Sequence, residues 1–574
     1  MADTTGGSAG AAATGGEGVR RSGGQLVVDA LLAQGVTTVF TVPGESFLAV
    51  LDALHDAADH IRVITCRHEA GAANMAEAHG KLTGWPAACL VTRGPGACHA
   101  AVGVHTASQD STPMLLLIGQ VARDVRDREA FQEVDFTAMF GPLAKWAGEV
   151  REASRVGEYM RRAVQTAVSG RPGPVVLSLP EDMQNDAAPA LRQSRVRPTQ
   201  AAPTAAAMAE LRQRLDDAEW PLLLLGGGTW SAAGVADIQA FAEANGLPVT
   251  TSFRAQDRFD NRHPNYAGHV GIAIDPALAQ RVRDADLIIA AGPRLSEITT
   301  SGYTLLVPPR SRQTLIHIHP DADEPGRTYE PDLAIAAGMD AFAAAARAME
   351  PVNGSEWLDW RGAARADYEA SLKPGPFPGA LDLGRVIQHL DATLPDDAII
   401  TNGAGNYATW VHRFFRYRGF GTQLAPTSGA MGYGVPAAIA AKAAFPDRVV
   451  VNISGDGCFM MSAAELATAR QHGLDPVFLV VNNGMYGTIR MHQERHYPGR
   501  VVATDLINPD FAALAEAHGV LGQVVTETSQ FPDAFERALN AGRAALIELR
   551  IDPDGITTRD TLSAIRRRAL EAQA

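Results

Sequence analysis

Val449-Val-Val-Asn-Ile-Ser-Gly-Asp-Gly457 and, further on, Val477-Phe-Leu-Val-Val-Asn-Asn483 are the stretches from which the fold is read. Each is an apolar run of core-strand length that stops on a turn, Gly-Asp-Gly in the first and Asn-Asn in the second. In an open parallel sheet the carboxyl ends of such strands open on one crevice, where ligands bind. Asp456 and Asn483, 27 residues apart, then stand side by side at neighbouring strand ends. One carboxylate and one amide oxygen form a half-filled set of hard donors. Mg²⁺ suits such a set, because it completes its octahedron with phosphate oxygens and water. Gly457 lets the backbone approach a phosphate, and a helix beginning near Ser462 is expected to add its N-terminal dipole. Taken singly, GDG and NN are ordinary turn dipeptides. Together, at strand ends with this spacing, they point to a metal–phosphate site.

Outward from this pair, the last block reads as strands Ala398–Thr401, Val449–Ser454, Val477–Val481 and Ala545–Ile551. The first block reads as Val36–Val42, Arg62–Cys66, Ala87–Thr92, Met114–Ile118 and Val175–Leu179, with helices over Phe47–Ala57 and Ala70–Leu82. The middle block has Leu222–Leu225 running into Gly226-Gly227-Gly228, then Pro248–Thr251, Leu287–Ala291 and Leu315–His319. Strands alternating with helices imply parallel sheets covered on both faces. The expected fold class is therefore α/β, with three doubly wound parallel-sheet domains at 21–185, 206–345 and 380–565. Linkers are expected at 186–205 and 346–379, the second carrying Lys373-Pro-Gly-Pro-Phe-Pro-Gly379, and a disordered Ala/Gly/Ser/Thr-rich tail at 1–20. The glycine triplet lacks GxGxxG spacing, so a structural turn outweighs a nucleotide site there.

The chain has 574 residues, 46% hydrophobic and 20% charged, with a net charge of −14 and no Lys/Arg-rich run. That excludes a nucleic-acid surface, whose affinity rests on neutralising phosphates. No apolar run approaches the roughly 20 residues of a membrane span. Cys66, Cys89, Cys98 and Cys458 show neither CxxC nor zinc spacing and read as reduced core thiols. Without an apolar leader the expected location is cytoplasmic.

GDG followed by NN resembles the cofactor motif of the thiamine-diphosphate-dependent enzymes of the acetolactate synthase and pyruvate decarboxylase superfamily. The resemblance extends over nearly the whole chain after residue 20. It includes His68-Glu69-Ala70-Gly71-Ala72, Gly94-Pro95-Gly96, Ala130-Phe131-Gln132-Glu133, Gly170-Arg-Pro-Gly-Pro174 and Met431-Gly432-Tyr433-Gly434-Val435-Pro436. It implies thiamine diphosphate with Mg²⁺ held by Asp456, Asn483 and the main-chain oxygen of Met485. Ala404, Gly405, Asn406 and Tyr407 are implied to hold the diphosphate, with Gly455, Gly457, Cys458, Tyr486, Gly487, Thr488 and Ile489. Met431 matches the apolar wedge that bends the cofactor, and Gly429 offers its carbonyl to the aminopyrimidine. On the first block the resemblance assigns Glu69, Thr92 and Pro95 to the cofactor.

Glu69 matches the catalytic glutamate beside the pyrimidine ring nitrogen. Protonating that nitrogen makes the neighbouring amino group a base for the thiazolium C2 proton. Such a carboxyl should be largely buried. In isolation a glutamate at a helix start is more often solvated and stabilised by the dipole. The His-Glu-Ala-Gly-Ala context and the following Gly94-Pro95-Gly96 favour the catalytic role. Because Glu69 and the metal site fall in different blocks, the resemblance implies that one chain meets another at each site. A homodimer is then the minimum, and a homotetramer the expected assembly.

The acceptor pocket departs from acetolactate synthases. Their acceptor arginine is Ile298 here, a tryptophan nine residues past the metal-binding asparagine is His492, and the lysine after GRPGP is Glu181. Pocket candidates are Glu45 and Ser46 at the mouth, Phe131, Gln132, and a His492–Glu494 pair that reads either as a proton relay or as a solvated helix face. FAD or another adenine nucleotide in the middle block can be accommodated but is not expected, since the Met-His pair of flavin-holding relatives is replaced by His269-Val270. The reading is decarboxylation and carboligation of 2-keto acids. The alternatives are a 2-hydroxyacyl-CoA or oxalyl-CoA lyase on the same scaffold, and a non-catalytic cofactor-binding subunit. Retention of Glu69, Asp456 and Asn483 opposes the last.

Overall fold

The three apolar blocks fold as three six-stranded sheets in which every strand runs parallel to its neighbours. The computed structural model describes residues 19–190 and 193–573. Most of the expected tail, residues 1–18, lies outside that description. The first sheet is ordered Arg62–Thr65, Thr38–Thr41, Ala88–Val91, Met114–Gln120, Pro174–Pro180, Trp146–Glu149. The third is ordered Gln423–Leu424, Ile399–Asn402, Val450–Gly455, Val477–Asn482, Ala545–Arg550, Leu521–Val525. Numbered along each domain, both follow 2-1-3-4-6-5, whereas the middle sheet follows 3-2-1-4-5-6. Interior strands such as Met114–Gln120 and Pro174–Pro180 are buried along their whole length, as helices on both faces require.

One expected boundary is corrected. Arg20–Ser22 pairs antiparallel with Ala187–Pro189, so the expected linker 186–205 opens with a strand that ties the end of the first domain to its start. Val196 in the same stretch is buried. The helical segment expected near Ser462 begins at Ala463, with Ser462 as its N-cap, and continues to Gln471; a separate short helix, Asp456–Met460, precedes it, because Gly455 is extended and the chain turns from strand into helix without a loop. The expectation of core thiols is met by Cys66, Cys89 and Cys458, whereas Cys98 is exposed. Among the described residues, no helix is long and apolar enough to cross a membrane.

The first and third domains share one hydrophobic core. Its seam is the helix Glu69–Thr83 against the helix Gly434–Ala444, both rich in glycine and alanine on the buried face. A polar cluster closes the seam. Tyr433 Oη donates to Glu77 Oε2 at 2.6 Å, Thr112 Oγ1 donates to Oε1 at 2.8 Å, and Lys81 Nζ lies 3.2 Å from Glu77 and against Asp110. Asp110 in turn accepts from Thr427 N at 2.8 Å, and Lys81 donates to the carbonyl of Ala425 at 3.1 Å. Burial opposes the Lys81 charge, but Asp110 and Glu77 more than reverse that and hold its ammonium above the usual lysine range.

Removing the cation leaves two buried carboxylates facing each other. Lys81→Met is expected to lower unfolding stability by about 3–5 kcal/mol. Denaturant melts of the purified variant at neutral pH read this directly, and an unchanged midpoint would remove the cluster from the interface energetics.

Candidate active site

A parallel sheet whose strand order reverses leaves a crevice beyond the carboxyl ends of the two strands at the reversal. In the third domain those strands are Ile399–Asn402 and Val450–Gly455, and a cavity of about 260 Å³ opens there. Every residue that the resemblance assigns from Ala404 to Ile489 lines it: Ala404, Gly405, Asn406, Tyr407, Gly429 and Met431 on one side, Gly455, Asp456, Gly457 and Cys458 at the turn, and Asn483, Met485, Tyr486, Gly487, Thr488 and Ile489 opposite. The lining also includes Trp410, on the helix Tyr407–Phe414, with Ile551 and Ile556, which sequence reading did not assign to the site because an apolar residue alone carries no signal for a ligand.

Asp456 is 2% exposed and both of its oxygens are engaged. Oδ1 accepts from Gly457 N at 2.9 Å. Oδ2 accepts from Gly484 N at 2.9 Å and from Asn508 Nδ2 at 2.8 Å. Burial nonetheless pushes this carboxyl above its ordinary range, and a cation beside it would reverse that. The two asparagines separate in role. Asn482 is tied into the sheet through Glu548 and Asn508, whereas Asn483 lines the cavity. Asn508 is a supporting residue that nothing in its spacing announces.

The floor is bare backbone by necessity. A Cβ on Gly457 would stand 2.5 Å from the Tyr486 ring, and one on Gly455 would stand 2.8 Å from Tyr407. Gly429 has φ +72°, with open space where a side chain would be. The rim is cross-linked. Asn406 N donates to Thr488 Oγ1 at 3.0 Å, Thr488 Oγ1 donates to Asn406 Oδ1 at 2.9 Å, and Asn406 Nδ2 donates to the Ile556 carbonyl at 3.0 Å. Tyr407 Oη donates to Cys458 Sγ at 3.2 Å. Hard oxygen donors at a glycine floor, beside an apolar wall that includes Met431, fit a magnesium diphosphate bearing an organic ring.

Glu69, Thr92 and Pro95 are not part of this cavity. They lie at the same edge of the first sheet, around its own reversal between Thr38–Thr41 and Ala88–Val91. Glu69 opens the helix Glu69–Thr83, and its side chain is 12% exposed. The preceding turn is gripped by Glu465 of the third domain, which accepts from His68 N at 2.9 Å and Arg67 N at 3.2 Å. Gly71 permits this, since a Cβ there would meet Glu465 Oε1 at 2.4 Å. Gly96 leaves room above Glu69 Oε1, and Pro95 is exposed in the first helical turn. Thr92 Oγ1 lies 3.0 Å from Ser46 Oγ, and Ser46 is fully buried beneath it.

The pocket candidates divide. Phe131 is 72% exposed, and the carbonyl of Gln132 accepts from Gly94 N at 3.0 Å, which places both against the Gly94-Pro95-Gly96 turn. Glu45 is exposed and shares Arg93 with Glu181, at 3.5 and 3.3 Å. Glu494 is fully buried. It accepts from Arg566 Nε at 2.7 Å and Gly499 N at 2.9 Å, which hold its carboxyl below the usual range. It therefore clasps the C-terminal helix Leu562–Gln573 onto the helix Gly487–His496, while His492 is exposed on that helix. The geometry offers no relay between them.

The reversal of the middle sheet, between Pro221–Leu225 and Leu287–Ala291, opens on a second cavity of about 460 Å³ that includes Gly227, Gly228, Arg294 and Ile298. Three arginines also line it, each with a partner in the chain. Arg254 donates to the carbonyls of Gly403, at 2.8 Å, and Pro426; Arg294 donates to the carbonyl of Gln109 at 2.6 Å; Arg258 pairs with Asp257.

Comparison with known proteins follows the same division of the chain. Family profiles match at residues 21–139 (thiamine pyrophosphate enzyme, N-terminal TPP binding domain), 208–346 (central domain) and 403–549 (C-terminal TPP binding domain). The acetolactate synthase large subunit of Parasynechococcus marenigrum is 32% identical over 549 residues, covering 92% of this chain and 87% of the relative. The isozyme 2 large subunit of Escherichia coli is 31% identical over 534 residues, covering 92% and 96%. A probable acetolactate synthase large subunit of Methanocaldococcus jannaschii is 30% identical over 558 residues, covering 92% of each. With three matching domains in register and relatives aligned over nearly its full length, the chain belongs to the thiamine pyrophosphate enzyme family and is a thiamine-pyrophosphate-dependent enzyme of the acetolactate synthase type.

Proposed function

We propose that this protein is a Mg²⁺-dependent enzyme that decarboxylates a 2-keto acid and joins the remaining fragment to a second carbonyl compound. The carrying observation is that all residues assigned from Ala404 to Ile489 converge on one cavity ending at Asp456 and Asn483. When bound, thiamine diphosphate would supply a carbon nucleophile for the keto carbon and an electron sink for the pair left behind as CO₂ departs. The chain's own residues do the rest. Asp456, Asn483 and the Met485 carbonyl hold the cation, and the glycine floor brings backbone to the diphosphate. Glu69 moves a proton at its carboxyl to and from the pyrimidine ring nitrogen. Met431 shapes the cofactor, and the apolar wall excludes water.

Glu69 is absent from the cavity that contains Asp456, which supports a site completed by a second copy of the chain. Exposed apolar side chains support the same assembly: Met460 and Met461 just after the Gly-Asp-Gly turn, Ile489 on the cavity wall, and Phe131 on the first domain. A homodimer is the smallest active unit in this reading, and a homotetramer its natural pairing.

The acceptor is proposed to lack a carboxylate. Ile298 supplies no charge, Arg254, Arg258 and Arg294 are committed, and Arg93 is shared by two glutamates. A lost bidentate clamp is worth about 1.5–3 kcal/mol. Flavin is not part of the proposed chemistry, although the 460 Å³ cavity could take an adenine nucleotide. Stoichiometric flavin released on denaturation would overturn that point.

Titration calorimetry tests the cofactor site. Thiamine diphosphate should bind only with a divalent metal, and Asp456→Ala should abolish binding; full-strength binding by that variant in excess chelator would sink the assignment. Mixing inactive Glu69→Gln with inactive Asp456→Ala protein should restore part of the activity after subunit exchange. No recovery despite proven heterodimers would put both residues of a site in one chain. For substrate, kcat/KM of pyruvate self-condensation is compared with that of pyruvate plus a neutral aldehyde. The aldehyde should be preferred, and self-condensation faster by about tenfold or more would mean that the missing clamp, worth that factor or more, has been replaced.

A further inference from the structure

Glu69 does not stand alone at the edge of the first sheet. His99, in the first turns of the helix Gly94–Asp110, places Nδ1 2.8 Å from Glu69 Oε2. Its ring stacks on that of His68, centroids 4.4 Å apart and planes 30° from parallel. His68 is itself fixed twice: Nδ1 accepts from Ala70 N at 3.1 Å, and its backbone N donates to Glu465. A continuous set of contacts thus runs from Glu465 in the third domain through His68 and His99 to one oxygen of Glu69. The other oxygen, Oε1, faces the space that Gly96 keeps open, 3.4 Å from where a Cβ would stand. The two oxygens are therefore inequivalent.

We propose that His99 is a positioning residue for Glu69, its Nδ1–H holding Oε2 so that Oε1 is the oxygen that exchanges a proton with the cofactor. This rests on the reading of Glu69 given above. A carboxyl with one free torsion at its end can present either oxygen, and a donor on one of them removes that freedom. The same donor stabilises the carboxylate once the proton has moved from Oε1 to the ring nitrogen, because a hydrogen bond to an ionised acceptor is stronger than one to a neutral acceptor. The proton moves between two atoms, Oε1 and the ring nitrogen, and His99 keeps its own.

Substitutions can separate the hydrogen bond from the stack. His99→Phe keeps an aromatic ring on His68 and loses the donor, whereas His99→Asn loses the ring and presents an amide N–H near the position of Nδ1. Two quantities are measured without substrate: the rate of hydrogen–deuterium exchange at C2 of bound thiamine diphosphate, and the dissociation constant of thiamine diphosphate with Mg²⁺ from tryptophan fluorescence of the cofactor-free protein. His99→Phe should slow exchange about tenfold or more, as loss of a hydrogen bond to a charged group does, with the dissociation constant within about threefold. His99→Asn should recover most of the rate. Wild-type exchange in His99→Phe, with Glu69→Gln slow, overturns the role of His99 and leaves that of Glu69 intact. Equal slowing in His99→Asn and His99→Phe overturns it as well, because the donated hydrogen is then not what matters. Wild-type exchange in Glu69→Gln overturns the reading of Glu69 and this inference with it.

Discussion

A strand order that reverses within a parallel sheet is the constraint on which this molecule depends. At the reversal, consecutive helices leave toward opposite faces, so no helix covers the ends of the two strands between them. The described residues contain three such reversals, and each gathers candidate site residues. The third gathers Asn406, Asp456 and Asn483, the first gathers Ser46 and Thr92 with Glu69 one strand away, and the middle one opens on the glycine turn Gly226–Gly228. No side chain has to be forced into position; the backbone leaves the gap and short turns fill it.

The first and third domains can present their edges consistently only because they are docked without slack. Glycine and alanine along the helix Glu69–Thr83 let it approach the helix Gly434–Ala444 closely, so the helix that begins with Glu69 is anchored along its length. Close packing of small residues supplies fit but little directionality. Direction comes from the buried polar cluster of Glu77, Lys81, Asp110 and Tyr433 and from Glu465 gripping the turn before Glu69. Arg254 does the same for the middle domain, tying it to the carbonyls beside the cavity through two buried hydrogen bonds. Charge buried here specifies geometry more than it adds stability.

The electrostatics of the pocket mouth follow from the same commitments. Each arginine close to the two cavities already satisfies a carbonyl or a carboxylate, and Glu181 adds negative charge at the edge of the first sheet. These partners, with an uncharged Ile298, are what support the proposal of an acceptor without a carboxylate.

The apolar runs and their terminal turns determined the α/β class and the interior strands, because a strand buried on both faces must read as an uninterrupted run, and they carry the proposal for Asp456 and Asn483. The strands that were not legible, Trp146–Glu149, Tyr266–His269, Leu333–Ala336, Gln423–Leu424 and Leu521–Val525, are all edges, short and in several cases half-exposed, so that they carry no such run. The resemblance located Glu69 but could not show His99 against it, since residues 30 apart on two helices meet only through packing. The burial of Glu494 was hidden for the same reason: its partner, Arg566, lies 72 residues away on a helix that only the folded chain brings back. Periodicity and turn chemistry are local and survive in a string of letters. Which oxygen of a carboxylate is held, and which charge is already satisfied, depends on contacts between distant segments, and those exist only once the chain has closed on itself.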